Sequence, residues 1–238
     1  MALGACSDQI HLGSDPNYYW FADHEAGNLS QWDEGGTNAG GRILSSDGAQ
    51  LTLVNSPTHS GRFAVSSAIY AATRTSYARL YRSGVLPNDA YFRVWMYIRQ
   101  RYTIGLYWNV FEFQGRTDPA DPMTYRYLWS LDLEQASNGE MSWYVFDDQR
   151  QYKYLPSVTT VAPIGRWFLV EAFMHQAMDN SGQVTFWIDG ALLVDVTGVP
   201  TVLSTWLSWN VRGSASNITE PLAEVFLDDA AITRTGPE

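Results

Sequence analysis

The stretch YFRVWMYIR, Tyr91 to Arg99, separates into two sets when every second residue is taken. Phe92, Val94, Met96 and Ile98 form one set; Tyr91, Arg93, Trp95, Tyr97 and Arg99 form the other. Alternate side chains of a β-strand leave on opposite faces. One face of this strand is therefore an apolar core face. The other, three aromatics with two arginines, is neither a core nor an ordinary solvated surface. Such a strand needs a second sheet on one side and something to hold on the other.

The same pattern recurs outward from this stretch. Short alternating or apolar runs predict strands at 51–54, 62–70, 77–82, 91–99, 106–114, 125–133, 141–147, 166–175, 184–189, 191–196, 206–212 and 224–233. Turn signals separate them: NSPTHSG, LPND, GRTDPADP, ASNG, MDNSGQ, TGVP and RGSASN. Within VTFWIDGALLVDV, Asp189-Gly190 predicts a type I′ hairpin turn, which needs positive φ at both central residues. AVSSAIYAATR reads as a strand, because Val and Ile lie between Gly61 and Thr73. No amphipathic helix stands out. A dozen strands predict an all-β chain closed as two stacked antiparallel sheets, a jelly-roll sandwich. Residues 1–15 read as an N-terminal arm and 16–238 as one domain, since no repeat, low-complexity tract or linker divides them.

The chain has 238 residues, enough to bury a sizeable core. Its 10 Trp and 14 Tyr exceed what a core needs, so some are predicted to face a ligand. No apolar run approaches the roughly 20 residues that span a bilayer. A net charge of −10 argues against nucleic acid as a partner. The charge is uneven, however: residues 62–126 carry nine arginines against Asp89, Glu112, Asp118 and Asp121. Lys153 is the only lysine. Arginine presents a planar fork suited to carboxylates and stacks on flat faces. Cys6 is the single cysteine, so there is no disulfide framework. The tetrad Leu3-Gly4-Ala5-Cys6 resembles a bacterial lipobox, and Met1 onward reads as a chain cut just inside a signal sequence. On that reading the protein is exported, secreted or lipid-anchored at the cell envelope.

Several segments occur in a telling order: DHEAGNLSQW (Asp23 to Trp32), GRFAVSSAIY, RWFLVEAFMHQAMDNSGQVTFWIDGALLVDVTG and VFLDDAAITR. With AYFRVWMYI and WNVFEFQ between them, they resemble the concanavalin A-like lectin and glucanase superfamily, most closely its polysaccharide-lyase and laminin-G-like branch. The resemblance runs from about Trp20 to the last strand. It implies a jelly roll in which one curved sheet forms a polysaccharide groove. Lectins, hydrolases and lyases all use this sandwich, so it implies much about fold and little about reaction.

Strand parity nominates the groove lining. Arg93, Trp95, Tyr97 and Arg99 share one face, as do Trp108, Glu112 and Gln114. Tyr77, Arg79 and Tyr81 oppose Ala78 and Leu80, and Trp206, Ser208, Asn210 and Arg212 form a fourth set. Trp95, Arg99, Trp108, Trp206, Asn210 and Arg212 are the predicted sugar contacts. The plainer alternative is that Trp95 and Tyr97 lie buried under a loop or at a sheet contact, since parity depends on a one-residue register.

Lyases of the superfamily cleave uronate polymers by β-elimination. A side chain neutralises the C5 carboxylate, and Tyr or His moves the proton. The resemblance thus implies Arg79, Arg93 or Arg99 with Gln114 or Asn210 as neutralisers, and Tyr81 or Tyr97 as proton carrier. His175, on the parity of Glu171 and Trp167, is a further base. The usual alginate-lyase strings are absent: RLYR (Arg79 to Arg82) matches their Arg-x-Glu-x-Arg strand only in part, and QIH at Gln9 to His11 lies in the arm. A hydrolase would need two carboxylates across the groove. In SLDLE, Asp132 and Glu134 fit the laminarinase Glu-x-Asp-x-Glu strand, but Ser130 holds the nucleophile position. Glu112 with Glu134 or Glu171 is another pair. A carbohydrate-binding domain would need no catalytic set. The resemblance also implies one structural calcium, with Asp23, Glu25 and Asp228 or Asp229 as oxygen ligands. The predicted partner is an acidic polysaccharide.

Overall fold

A computed structural model of the chain describes residues 15–33, 40–44, 48–70 and 76–236, apart from the side chains of 212 and 213. The Leu3–Cys6 tetrad and the Gln9–His11 tripeptide lie outside the described residues. Two antiparallel sheets make up the molecule. The first runs in the order β13 (Ala191–Val199), β12 (Gly182–Ile188), β11 (Trp167–His175), β6 (Asp89–Ile98), β15 (Leu222–Thr233), β4 (Ala64–Tyr70) and β3 (Gln50–Val54). β1 (Tyr18–Ala22) pairs with the second half of β15. The second sheet runs β10 (Tyr152–Tyr154), β9 (Met141–Asp147), β8 (Tyr125–Gln135), β7 (Ile104–Arg116), β14 (Leu207–Ile218), β5 (Ser76–Gly84) and β2 (Gly40–Leu44). The jelly-roll sandwich expected from the strand pattern is the fold. Every strand predicted from alternation is present. β1, β2, β10 and the one-turn helix α1 (Ser30–Asp33) were not foreseen. Among the described residues, no helix is long and apolar enough to cross a membrane.

Alternation builds the core. β6 contributes Phe92, Val94, Met96 and Ile98, and β11 contributes Phe168, Val170, Ala172 and Met174, all fully buried. Facing them from the second sheet are Phe111, Phe113, Leu131, Leu133, Trp209 and Val211. Rings touch across the sandwich: Phe92 meets Phe113 at 4.9 Å and Trp209 at 5.5 Å, both edge to face. Burying one such ring contributes about 1.5–3 kcal/mol, which is why the apolar parity decides each strand's orientation. The β12–β13 turn is as predicted, with Asp189 at φ 51° and Gly190 at φ 74°. Asp189 also anchors the turn, accepting from the Leu169 amide at 2.8 Å and pairing with Arg166 at 2.8 Å.

The chain's first and last segments meet at Asp228 in β15. Its buried carboxylate accepts from the backbone N–H groups of His59 (2.9 Å), Ser60 (3.3 Å) and Asp229 (2.9 Å), and lies 3.4 Å from Nδ1 of buried His24. Trp32 donates from Nε1 to His24 Nε2 at 3.0 Å. An indole can only donate, so Nε2 is the acceptor and Nδ1 carries the proton that faces Asp228. The side chains predicted as calcium ligands are thus committed to protein donors. Asp23 accepts from the Glu25 amide and Gln31, Glu25 accepts from the amides of Arg62 and Phe63, and Asp229 accepts from Ser60 and meets the His59 ring. Calcium needs six to eight converging oxygens. Here protein donors already meet at least one oxygen of each carboxylate, and no group of three or more His, Cys, Asp or Glu among the described residues could hold a metal ion. The quartet therefore does not fit a calcium site. Asp228→Ala strands buried donors from three segments and should lower unfolding free energy by about 3 kcal/mol. Urea unfolding followed by tryptophan fluorescence measures that loss.

Candidate functional site

The sandwich has two outer faces, and the sequence-predicted site residues divide between them. Arg93, Trp95, Tyr97, Arg99 and His175 belong to β6, its continuation and β11, so they leave the first sheet. Arg79, Tyr81, Glu112, Gln114 and Asn210 leave the second, on the opposite side of the molecule. The predicted assembly of all these residues in one groove is therefore corrected. Parity assigns faces within a strand, but it does not say which sheet the strand joins.

The first sheet's outer face is already occupied by its own neighbours. His59 stacks on Trp95 at 3.8 Å and 15°, and its Nδ1 meets Asp229 at 2.6 Å. Tyr97 packs on Trp167 at 5.6 Å and on Phe226 at 5.8 Å. Arg99 lies over Phe226 at 4.9 Å and 3.6 Å from Glu224. It borders a cavity of about 320 Å³ that also includes Tyr102, whose phenol burial pushes up to about 12. Another cavity, of about 440 Å³, opens beside Trp20, Arg82 and the turn from Val85 to Asn88, also away from the second sheet's polar face. His175 pairs with Asp89 at 2.7 Å at the strand end. Arg93 lies 3.2 Å from fully buried Glu171, whose oxygens accept no hydrogen bond. Trp95 is half-covered by His59 from a loop, and Tyr97 is half-buried against its strand neighbours.

The second sheet's outer face is a polar floor. Register places Gly41, Tyr81, Asn210, Glu112, Ser130, Phe146 and Lys153 side by side across all seven strands. A parallel row holds Ser83, Ser208, Gln114 and Tyr127. Another holds Tyr77, Ser214, Asn109, Asp132 and Tyr144. Asn210 is 1% exposed, Glu112 2% and Gln114 5%, so the floor is recessed from bulk water. β5 adds Arg79, whose guanidinium lies over the Tyr77 ring at 4.9 Å. Arg212 is paired with Arg79 through the backbone of β14.

Local bonds orient these groups. Gln114 Nε2 donates to Glu112 Oε2 at 2.6 Å, and Ser130 Oγ donates to Asp132 Oδ2 at 2.6 Å. Lys153 pairs with Glu134 and sits 4.2 Å above the Tyr144 ring. Burial, then the charges of Asp132 and Glu134, hold the Tyr144 phenol protonated far above its ordinary range. Tyr144 can therefore donate a hydrogen bond here. Glu112, Gln114, Asn210 and Tyr81 are the groups that converge from three adjacent strands.

Trp108 was predicted on this floor and lies in the core instead. Asn109 pairs with Asp132 and Phe111 with Leu131, so Val110 is an extra residue in β7. A bulge of this kind breaks the two-residue period. Trp108 consequently packs edge to face on Tyr102 at 4.9 Å. Trp206 does border the floor, under the Arg116 guanidinium at 3.9 Å. Sequence reading missed Arg116, Tyr127, Tyr144 and Lys153. Arg116 was within reach, because it continues the parity of Glu112 and Gln114 in FEFQGR. Tyr127 was masked by a second irregularity between Phe113 and Gln114 in the β7–β8 pairing.

No protein-family model and no curated protein matches this chain. Solved structures do. An endo-β-1,4-glucuronan lyase from the fungus Trichoderma reesei superimposes with a TM-score of 0.66 at 14% identity, over 92% of this chain and 96% of that one. The cellulose induced protein Cip1 gives 0.57 at 13% identity, over 90% and 97%. The alginate lyase vAL-1 from Chlorella virus gives 0.56 at 12% identity, over 92% and 100%. The chain thus shares its jelly-roll fold with these structures. At these identities the likeness is one of fold.

Burial raises the pKa of Glu171 above the usual carboxylate value, with Arg93 only partly opposing it. Between the unfolded and folded pKa the native state binds more protons, so this residue's contribution to stability falls as pH rises. The stability of Glu171→Gln relative to wild type should therefore increase as pH rises from about 4 to about 8. Paired urea titrations test this, and a pH-independent difference would mean the carboxylate is not held protonated.

Proposed function

We propose that the outer face of the second sheet binds an acidic polysaccharide outside the cell and cleaves it by β-elimination. The observation that supports this most directly is the juxtaposition of Tyr81, Asn210 and Glu112 on three adjacent strands, flanked by Arg79 and Gln114. The set contains a cation and two amides to meet a uronate carboxylate and a phenol to move a proton. Charge neutralisation at the carboxylate favours the carbanion-like transition state at C5. Tyr81 as the phenolate takes the C5 proton, the C4–O bond breaks as a C4=C5 double bond forms, and the proton now on Tyr81 passes to the departing oxygen, which restores the phenolate. Glu112 acts on Gln114, fixing its amide through the 2.6 Å bond. The fold shared with glucuronan and alginate lyases is consistent with this chemistry.

A paired-carboxylate hydrolase is less well supported. Glu134 is bound to Lys153, Asp132 accepts from Ser130, and Glu171 lies on the other sheet.

The test is a panel of alginate, glucuronan, pectate, glycosaminoglycans and neutral glucans, followed by ultraviolet absorbance and by new reducing ends. Both signals should rise together on a uronate polymer. Tyr81→Phe should lower turnover by about 100-fold or more, the scale of general acid–base catalysis. Tyr97→Phe, on the opposite sheet, should not. Reducing ends without absorbance would replace elimination with hydrolysis, and retention without either signal would leave a binding domain.

A further inference from the structure

The hairpin that joins β7 to β8 carries exposed apolar side chains beside the polar floor. Tyr125 is 43% exposed, Tyr127 38% and Met123, at the tip, 83%. The two tyrosine rings sit 5.7 Å apart at 82°. Tyr127 lies opposite Gln114 and Tyr125 opposite Arg116. The Arg116 guanidinium in turn covers Trp206 at 3.9 Å. Floor and hairpin are thus one continuous surface, because Glu112, Gln114 and Arg116 share a face of the same strand.

Isolated exposed aromatics need no explanation. These are different because the loop beneath them is tightly fixed. The Thr117 amide donates to Thr124 O at 3.2 Å, the Asp118 amide to Thr124 Oγ1 at 3.1 Å and the Met123 amide to Asp121 Oδ1 at 2.8 Å. Arg116 Nη1 donates to Pro119 O at 3.1 Å, while its buried Nε makes no hydrogen bond. A side chain already ordered loses little entropy when it binds. Flat rings suit the apolar faces of sugars, and a fixed guanidinium suits a carboxylate.

We infer that Arg116, Tyr125, Tyr127 and Trp206 form an accessory subsite that holds another acidic sugar residue of the same polysaccharide chain, apart from the reacting one. This rests on the groove reading above. Glu112 and Arg116 are four residues apart, about 13 Å of strand, which is longer than one pyranose ring. A ligand that reaches both groups therefore carries more than one sugar residue.

Binding can be tested without turnover in a Tyr81→Phe background, by retardation in gels containing alginate or glucuronan. Adding Tyr125→Ala with Tyr127→Ala should weaken retention about tenfold, the loss expected for removing stacked rings. Tyr125→Phe with Tyr127→Phe should retain the parent's affinity, because the rings remain. Equal retention by the alanine pair would overturn the subsite while leaving the groove intact. An equal loss in both pairs would also overturn it, since stacking would not be the cause. A changed sedimentation coefficient with unchanged retention would assign the patch to contact between copies. No retention by the parent on either polymer would overturn the groove reading itself.

Discussion

Trp209 is the point at which the sandwich closes. Its ring meets Trp20 at 6.1 Å, Trp32 at 6.0 Å, Phe92 at 5.5 Å and Phe111 at 5.5 Å. These partners come from the N-terminal strand, the short helix, the first sheet and the second sheet. A fully buried indole cannot turn outward without exposing this whole cluster, so the orientation of β14 is fixed. Fixing Trp209 inward fixes Ser208 and Asn210 outward. The floor of the candidate site therefore follows from the packing of one tryptophan in the core.

The two outer faces show how similar residue types reach different ends. Both offer arginine, tyrosine and tryptophan. On the first sheet these groups pack on one another: His59 caps Trp95, and Arg93 lies 3.2 Å from Glu171. On the second sheet, Gln114 donates to Glu112 and Ser130 to Asp132 along one strand each, and Lys153 reaches Glu134 from another strand. Bonds of that kind set the direction of a polar group. Tyr144 adds a phenol whose pKa burial and the nearby carboxylates push up, so it is present there as a donor.

Much of this was legible in the sequence, and the failures have physical causes. The alternation in YFRVWMYIR identified the core side of β6 correctly, and the Asp189-Gly190 turn has the predicted backbone. Alternation also placed Arg79, Tyr81, Glu112, Gln114 and Asn210 on outward faces. It could not reveal that β6 sits between β11 and β15, because strand order is set by long-range pairing. Nor could it reveal His59, which approaches Trp95 from a loop. Trp108 was lost to the extra residue at Val110, a local irregularity that alternation cannot represent. The calcium expectation turned on donors that sequence does not show: the carboxylates stand in the matching places and already accept hydrogen bonds from protein groups.

The loop from Thr117 to Thr124 is closed by hydrogen bonds among its own residues and Arg116. It therefore behaves as a cassette mounted on two strands whose pairing is set elsewhere. Insertions, deletions or new side chains at its tip can reshape the surface beside the polar floor without disturbing the core. One hairpin can thus vary while the floor it borders stays the same.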